Sequence, residues 1–250
     1  MPDGSLSGRR IVVTRPRQQV RGLVAGLERL GASVAVVPLV EVVRSPSNPQ
    51  LAAALRGLDR YEWIVFTSVN GVVAVRDQLR GGSLDGVSIA AVGPATAAAV
   101  RDLGVEPSFV PERYEAAEIA KGVGTVGPGR VLLPQGDLAS PRLASELRRR
   151  GAVVDAVVAY RTVAREPSVE EIVELEEPAD AIVLASGSAA DVLARLARRV
   201  PGVRAALLVC IGPRTADAAD SAGLRVGLVA EEASVDGIIQ ALTTHFGERT

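Results

Sequence analysis

RIVVTRPRQQVRGLVAGLERLGASVAVV, residues 10–37, has the pattern of a strand, a helix and a second strand. Ile11–Thr14 and Val34–Val37 are short apolar runs rich in β-branched residues, which are typical of strands covered on both faces. Between them, apolar residues recur at helical spacing, and Gly31 stands where a C′ glycine ends a helix. These apolar positions are Val20, Leu23, Val24, Leu27 and Leu30. This order predicts a parallel strand pair with a covering helix.

Apolar runs of the same kind recur along the rest of the chain, separated by segments with helical spacing. They are Trp63–Phe66, Ser88–Val92, Arg130–Leu133, Val153–Val158, Ala181–Leu184 and Ala206–Ile211. Regular alternation of strands and helices predicts parallel sheets flanked by helices. The fold class predicted from the sequence is therefore α/β.

The chain also repeats itself. Three pairs of segments match in the same order, namely 10–37 with 130–158, 61–75 with 181–193, and 90–123 with 209–242. Each pair is displaced by roughly 120 residues, a period too long for a solenoid. The repeat predicts two similar α/β lobes with a cleft between them, and such clefts are where ligands usually bind.

Two Pro/Ser-rich, turn-prone stretches indicate where the chain passes between lobes. VRSPSNPQ (43–50) and VAREPSVEE (163–171) follow the equivalent second strands of the two repeats. The chain would leave one lobe near residue 40 and return near residue 165, so we expect one lobe to be discontinuous.

Composition narrows the possible functions. Hydrophobic residues make up 48% of the chain and charged residues 23%, enough for a buried core. The net charge of -1 provides no general attraction for nucleic acid or an acidic membrane. The N-terminal MPDGSLSGRR has no apolar signal region, and no apolar run approaches the length of a spanning helix. We expect a soluble cytoplasmic protein that binds neither nucleic acid nor membrane.

Zinc sites, disulfides and phosphate-binding loops are disfavoured because cysteine, histidine and lysine each occur only once. Cys210 and His245 are the only cysteine and histidine, so they cannot supply the usual ligand set of a zinc site, and no disulfide is possible within the chain. Lys121, the only lysine, is not in a phosphate-loop pattern. Cys210 lies in a strand pattern and is predicted to be a core residue.

Polar residues and glycines follow almost every predicted strand. In parallel sheets, ligands bind outside the carboxyl ends of the strands, where helix N-termini present free amide groups. Such amides, with Ser, Thr and Asn donors beside them, suit an anionic ligand. The candidate binding residues are Arg15, Ser68, Asn70, Gly93, Thr96, Gly136, Ser186, Ser188, Gly212 and Thr215. The alternative is that these side chains are ordinary helix caps.

Two other patterns carry no function in this interpretation. Gly122, Gly124 and Gly127 spell G-x-G-x-x-G, but the motif follows a helix and precedes a strand, the reverse of the dinucleotide-binding context. We interpret it as a loop that ends a helix. The acidic run Glu170–Glu177 is predicted to be a solvated helix face.

Seven segments in order resemble the uroporphyrinogen-III synthase family from residue 10 to about residue 242. They are VVTRP, VFTSVNGV, AVGPATAAAVRDLG, LLPQGD, VVAYRTV, LASGSAADVL and IGPRTADAADSAGL. The resemblance implies two flavodoxin-like lobes joined by a two-stranded β linker. The expected boundaries are 1–38 plus 166–250 for lobe 1, 46–156 for lobe 2, and 39–45 with 157–165 for the linker.

The resemblance also implies an activity. Family members convert the linear tetrapyrrole hydroxymethylbilane into uroporphyrinogen III, with inversion of ring D through a spiro intermediate, and use no cofactor or metal. This is a cyclising hydro-lyase reaction of porphyrin, haem and tetrapyrrole biosynthesis. Tyr160 in VVAYRTV matches the family tyrosine proposed to act as an acid when the hydroxyl leaves. We further expect a monomer.

The sequence departs from the family pattern at two places. Gln135 stands where an arginine is common, and Ala185–Ser188 replaces a segment that usually begins with an aromatic residue. These departures affect individual substrate contacts. Two alternatives stay open at this point: a two-lobed binding or sensor protein that closes on an anionic metabolite without reaction, and a nucleotide-dependent α/β enzyme, which the missing phosphate-binding fingerprint disfavours.

Overall fold

The computed structural model describes residues 4–45, 47–79, 81–113, 115–124 and 129–247. The chain divides into two compact units. Unit 1 comprises Met1–Glu41 and Val163–Thr250, and unit 2 comprises Val42–Thr162.

Within the described ranges the chain forms ten strands and eleven α-helices. The strands are β1 (Arg10–Val13), β2 (Ser33–Val36), β3 (Val40–Val43), β4 (Trp63–Phe66), β5 (Ser88–Ala91), β6 (Arg130–Gly136), β7 (Val153–Ala164), β8 (Ala181–Leu184), β9 (Leu207–Cys210) and β10 (Val226–Val229). The helices are α1 (Arg21–Arg29), α2 (Pro49–Arg56), α3 (Val69–Leu79), α4 (Pro94–Arg101), α5 (Ala116–Val123), α6 (Arg142–Arg149), α7 (Val169–Glu176), α8 (Ala190–Arg199), α9 (Pro201–Ala205), α10 (Pro213–Ser221) and α11 (Val235–Gly247).

Unit 1 is built on a five-stranded sheet with the order β10-β9-β8-β1-β2. Its neighbouring strands are parallel. Counted along the unit's own chain, this is the flavodoxin-like order 2-1-3-4-5. Successive residues point to opposite faces, so Ile182 packs in one core cluster with Leu193 of α8, while Val183 packs in another with Leu23 of α1. Helices therefore cover both faces of the sheet.

Unit 2 is built on a second five-stranded sheet with the order β3-β7-β6-β4-β5. The pairs β4–β5, β4–β6 and β6–β7 are parallel. Phe109 adds an isolated parallel bridge to Ala90 on β5. The faces alternate as in unit 1, because Ile64 belongs to one core cluster and Val65 to another.

The internal repeat is visible in the pairing of the strands. Val131 of β6 lies opposite Trp63 of β4, and Ile11 of β1 lies opposite Ala181 of β8, which is the same register in the two sheets. β4 and β5 thus correspond to β8 and β9, and β6 and β7 correspond to β1 and β2. Each sheet combines strands from both copies of the repeat. The predicted α/β fold with two parallel-sheet lobes is confirmed.

Some strand limits differ from the prediction. β6 continues to Gly136, beyond the predicted end at Leu133. β7 runs without a break to Ala164, so the predicted strand Val153–Val158 and the segment 157–165 expected in the β linker are one strand. β10 was missed because it is a short edge strand that alternates half-buried and exposed residues and contains Gly227, so it lacks a continuous apolar run.

Candidate functional site

The predicted site residues of unit 2 lie at one edge of its sheet, because parallel strands bring their carboxyl ends together. Ser68 follows β4, Gly93 follows β5, and Gly136 is the last residue of β6. Tyr160 lies within β7, opposite Gly136 of the neighbouring strand.

Tyr160 and Ser68 are in direct contact. The Tyr160 hydroxyl and Ser68 Oγ lie 2.9 Å apart, and either can donate the hydrogen bond. Ser68 Oγ also accepts a hydrogen bond from the backbone N–H of Gly71 at 3.3 Å, so the serine caps the start of α3. The cap fixes the serine oxygen, and the serine in turn fixes the phenolic oxygen.

Gly136 makes room for the Tyr160 ring. A Cβ atom on Gly136 would lie 2.7 Å from Tyr160 Cε2, 2.9 Å from Cζ and 3.1 Å from the hydroxyl oxygen. These distances are far below ordinary carbon contacts of about 3.5–4.0 Å. The ring therefore rests on the glycine backbone. The sequence predicted that Gly136 binds the ligand, but not that the Tyr160 ring packs on it.

A bulge and a short loop hold the backbone around Tyr160. The pairing between β6 and β7 shifts between Gln135 and Gly136, so that Gly136 lies opposite Tyr160 and Ala159 is the extra residue. The backbone N–H of Asp137 donates to the Tyr160 carbonyl at 3.1 Å. The Asp137 carboxylate accepts from the backbone N–H of Thr162 at 3.0 Å. The strand is thus fixed on both sides of the tyrosine.

The remaining candidates of unit 2 lie at the starts of α3 and α4. Asn70 is half-buried in the first turn of α3. Gly93 precedes α4 with φ of 90° and ψ of 157°, a conformation that favours glycine. Thr96 is 4% exposed in the first turn of α4.

Arg15 follows β1 in unit 1 and is half-buried. Burial lowers the pKa of its guanidinium, which stays charged because arginine is protonated throughout the physiological range. The neighbouring Thr14 donates its hydroxyl proton to the Val183 carbonyl at 2.8 Å, and its backbone N–H donates to the same oxygen at 3.2 Å. Thr14 thereby ties the end of β1 to β8. In the sequence Thr14 is one of several polar residues after β1, and its role in joining the strands is not visible there.

Ser186 and Ser188 follow β8 at a 3₁₀ turn, Gly187–Ala189. A Cβ atom on Gly187 would lie 3.1 Å from the Cβ of Ala218 in α10, so the turn packs closely on that helix. Both serines are half-buried. The turn places their hydroxyl groups near the start of α8.

Gly212 and Thr215 follow β9 at the start of α10. The motif Gly-Pro-x-Thr also occurs at Gly93, but the two glycines differ, because Gly212 is fully extended with φ of 177°. Thr215 is 6% exposed, and its backbone N–H donates to the Gly212 carbonyl at 3.1 Å. Matching sequences therefore give related but unequal turns.

The alternative role of these side chains as helix caps applies to one of them only. Ser68 is a cap, whereas the side chains of the other polar candidates make no hydrogen bond or ion pair with any residue in the described ranges. The latter are Arg15, Asn70, Thr96, Ser186, Ser188 and Thr215. Their polar groups stay available to a ligand at the carboxyl edge of their own sheet. The contacts in the structure join Tyr160, Ser68 and Gly136, and do not join the other candidates to them.

The residues that the sequence placed outside the site have structural roles. Cys210 is buried in β9, and burial raises the pKa of its thiol to about 11, so it is not a thiolate nucleophile at neutral pH. The rings of His245 and Phe246 pack edge to face at 5.0 Å in α11. Among the described residues, no group of histidine, cysteine and carboxylate side chains could hold a metal ion.

Two earlier interpretations are refined by the structure. Gly122 lies at the end of α5 as expected, while Gly127 lies outside the described residues. The acidic run Glu170–Glu177 was predicted to be solvated, which is wrong for Glu171, because this residue is 7% exposed. Its carboxylate accepts hydrogen bonds from Arg165 at 2.7 Å and from the backbone N–H of Ser168 at 2.9 Å.

A family model described as "Uroporphyrinogen-III synthase HemD" matches residues 22–240, most of the chain. The chain belongs to this family. In the described residues, no helix is long and apolar enough to cross a membrane.

Two curated relatives resemble the chain over nearly its whole length. The porphyrin biosynthesis protein HemD of Ruminiclostridium josui is 31% identical over 246 residues, which cover 95% of this chain and 48% of that protein. The chain thus spans about half the length of this relative. The chloroplastic uroporphyrinogen-III synthase of Oryza sativa subsp. japonica is 28% identical, over 94% of this chain and 81% of that one.

Solved structures of family members share the fold. The crystal structure of uroporphyrinogen-III synthetase from Helicobacter pylori superposes with a TM-score of 0.60 at 16% identity, covering 93% of this chain and 97% of that one. A mutant uroporphyrinogen III synthase from Thermus thermophilus gives a TM-score of 0.54 at 21% identity, covering 97% and 100%. The two-sheet architecture is therefore that of the uroporphyrinogen-III synthase family.

Proposed function

We propose that this chain is a uroporphyrinogen-III synthase, a cyclising lyase that closes hydroxymethylbilane with inversion of ring D. Family membership over residues 22–240 supports the reaction. The observation that carries the assignment of roles is the Tyr160–Ser68 hydroxyl pair at the carboxyl edge of the unit 2 sheet.

The reaction can be written so that atoms balance without an external oxidant or reductant. The C–O bond of the hydroxymethyl group breaks, the hydroxyl leaves as water, and the nitrogen lone pair of ring A supplies the electrons. The substituted α-carbon of ring D then attacks the exposed methylene carbon and forms the spiro intermediate. The bond from that ring carbon to its original bridge breaks, the bridge rejoins at the free α-carbon, and that carbon loses its proton.

Tyr160 is the proposed acid for the first step. Its hydroxyl proton would pass to the leaving hydroxyl group, and the proton released in the last step would restore it. Ser68 contributes by holding the phenolic oxygen at 2.9 Å while its own oxygen is fixed by the Gly71 N–H. A positioned acid typically contributes about 10²–10⁴-fold to a rate.

The remaining polar candidates would bind substrate carboxylates. Hydroxymethylbilane carries eight carboxylate groups, and Arg15 is a half-buried guanidinium that forms no ion pair with a described residue. The free hydroxyl groups of Thr96 and Thr215 and the helix starts beside them add donors. Each helix N-terminus contributes about 0.3–1 kcal/mol toward an anion, so several together can fix a flexible chain for ring closure.

The decisive experiment is a product assay. Hydroxymethylbilane closes unaided to the uninverted isomer I, so the purified chain should convert it to isomer III, measured by chromatography of the oxidised porphyrins. Isomer I alone, with the chain present in excess, would favour the non-catalytic binding protein instead.

Two tyrosine variants separate a chemical role from a structural one. Tyr160→Phe should lower kcat about 10²-fold, the lower end for a lost general acid, with little loss of stability. Tyr61→Phe is the matched control. Tyr61 also lies in unit 2 and its hydroxyl donates to Asp155 at 2.7 Å, but it precedes β4 and so lies at the opposite end of the strand from the candidate site. The control should keep its kcat. Equal kcat values in both variants would remove Tyr160 from the mechanism.

The monomeric state and the cytoplasmic location stay predictions. The Tyr160–Ser68 pair is complete within one chain, which supports a monomer as the active form. Sedimentation of the active protein at assay concentration tests this, since a rate that rises with a dimer fraction would contradict it.

A further inference from the structure

A cavity of about 240 Å³ lies in unit 1 at the amino ends of β9 and β10. Its apolar wall includes the half-buried Ala206 and Leu224, which precede β9 and β10. Its rim carries three arginines, Arg198, Arg204 and Arg225. We call this cavity the arginine-rimmed pocket.

The pocket is separate from the edge that carries the candidate site. It is lined by Ala206 and Leu208 at the start of β9, whereas Gly212 and Thr215 follow the end of that strand. A strand rises about 3.3 Å per residue, so Leu208 and Gly212, four residues apart, are separated by roughly 13 Å along the strand. A ligand in the pocket would not occupy the same edge as the proposed substrate contacts.

The charge of the rim is not balanced by carboxylates. The lining contains no Asp or Glu, and none of the three arginines forms an ion pair or hydrogen bond with a described residue. Two arginine-lined cavities of unit 2 differ from it. In one, Arg130 pairs with Asp155 at 3.3 Å, and in the other, Arg149 pairs with Glu146 at 2.6 Å. The unit 1 cavity differs from these two because it combines three unpaired guanidinium groups with an apolar wall.

Helix dipoles account for part of this charge but not for all of it. α8, α9 and α10 end near the pocket, and each helix C-terminus carries about half a negative charge. The three arginines are exposed, and no carboxylate lines the pocket, so their N–H donors are open to an anionic ligand.

We propose that the arginine-rimmed pocket binds a compact anion that carries a flat apolar ring and two carboxylate groups. The ring would lie against the half-buried Ala206 and Leu224, and the carboxylates would accept paired N–H donors from the rim, the geometry in which guanidinium binds carboxylate best. The volume admits one small ring and excludes a whole linear tetrapyrrole. The pocket is thus a second binding site, and the proposal does not depend on the proposed function.

Benzene-1,2-dicarboxylate is the probe for this site. Calorimetric titration of the full chain should show saturable binding, and saturation-transfer NMR should show ring protons in contact with protein methyl groups. Benzamide, a neutral ring, and inorganic phosphate, an anion without a ring, should bind at least tenfold more weakly. Phosphate binding as tight as that of the dicarboxylate would overturn the role of the ring.

Arginine variants locate the site. Arg198→Gln and Arg225→Gln should each weaken dicarboxylate binding at least fivefold with unchanged thermal unfolding. Arg199→Gln is the control, because Arg199 ends the same helix, is exposed and does not line the pocket. Equal affinity in Arg225→Gln and Arg199→Gln, or no saturation by 20 mM probe, would overturn the proposal. Isomer III formation, measured in parallel, reports on the proposed function alone.

Discussion

Replacing Gly136 with alanine should disable Tyr160 without touching its chemistry. The added Cβ would lie 2.7 Å from Tyr160 Cε2, while an ordinary carbon contact is about 3.5–4.0 Å. The ring must therefore move by about 1 Å. Movement on this scale would break the 2.9 Å hydrogen bond to Ser68 and misplace the proposed acid.

The expected loss follows from the size of that displacement. A misplacement of about 1 Å can cost on the order of 10²-fold in rate. We expect kcat for isomer III to fall about 10–100-fold, or about 1.4–2.7 kcal/mol of activation free energy. Overpacking costs about 1–3 kcal/mol of stability, so activity is measured at a temperature where urea unfolding shows the variant to be folded.

A double variant tests whether the loss acts through the tyrosine. Gly136→Ala should lower kcat little, less than about twofold, in a Tyr160→Phe background, because the interaction has already been removed. Gly22→Ala is the control, since nothing lies within 4 Å of a Cβ at this exposed position. Unchanged kcat in folded Gly136→Ala, or full additivity with Tyr160→Phe, would refute the reasoning.

Three further substitutions have expected outcomes. Ser68→Ala should lower kcat about tenfold and helix stability by about 1 kcal/mol, measured by turnover and urea unfolding. Gly22→Ala should stabilise the chain by up to about 1 kcal/mol, since it favours α1, and a lower melting temperature would contradict this. Glu171→Gln should cost about 2 kcal/mol at pH 7. Burial alone would raise the pKa of Glu171, but hydrogen bonds from Arg165 and Ser168 hold it below its ordinary value. The wild type should therefore be more stable than Glu171→Gln by the full amount above the ordinary glutamate pKa, and this difference should disappear as pH falls through the lowered pKa of Glu171. A stability difference that does not change between pH 7 and pH 3 would contradict the mechanism.

The fold could be predicted from the sequence because its strands are buried on both faces. Ala181–Leu184 is buried at all four positions, so its apolar run is continuous and easy to identify. β10 alternates and lies at a sheet edge, where burial does not require such a run. Strand ends were harder, because they depend on pairing: β7 pairs with β6 as far as Tyr160 and has β3 as its other neighbour.

The site was predictable in part. Polar residues after strands are visible in the sequence, and Tyr160 was found through resemblance to the family. The contact between Tyr160 and Ser68 was not predictable, because 92 positions separate them and it depends on the register of two strands. The sequence also did not show that residue 136 must be glycine to leave room for the Tyr160 ring. This requirement depends on the bulge at Ala159, which determines which residue lies opposite the tyrosine.

The repeat explains why the two units should contribute differently to the proposed reaction. A shift of roughly 120 residues places Ser186 where Ser68 stands, but it places Pro16 and Val40 where Gly136 and Tyr160 stand. Val40 is 3% exposed and carries no hydroxyl group. Unit 1 therefore has polar residues after its strands, as unit 2 does, but no equivalent of Tyr160 or of the glycine on which its ring packs. On this argument unit 2 carries out the proposed proton transfer, and unit 1 supplies hydrogen-bond donors for the anionic groups of the substrate. Arg15→Gln should therefore raise KM more than it lowers kcat. Gly136→Ala should instead lower kcat more than it raises KM.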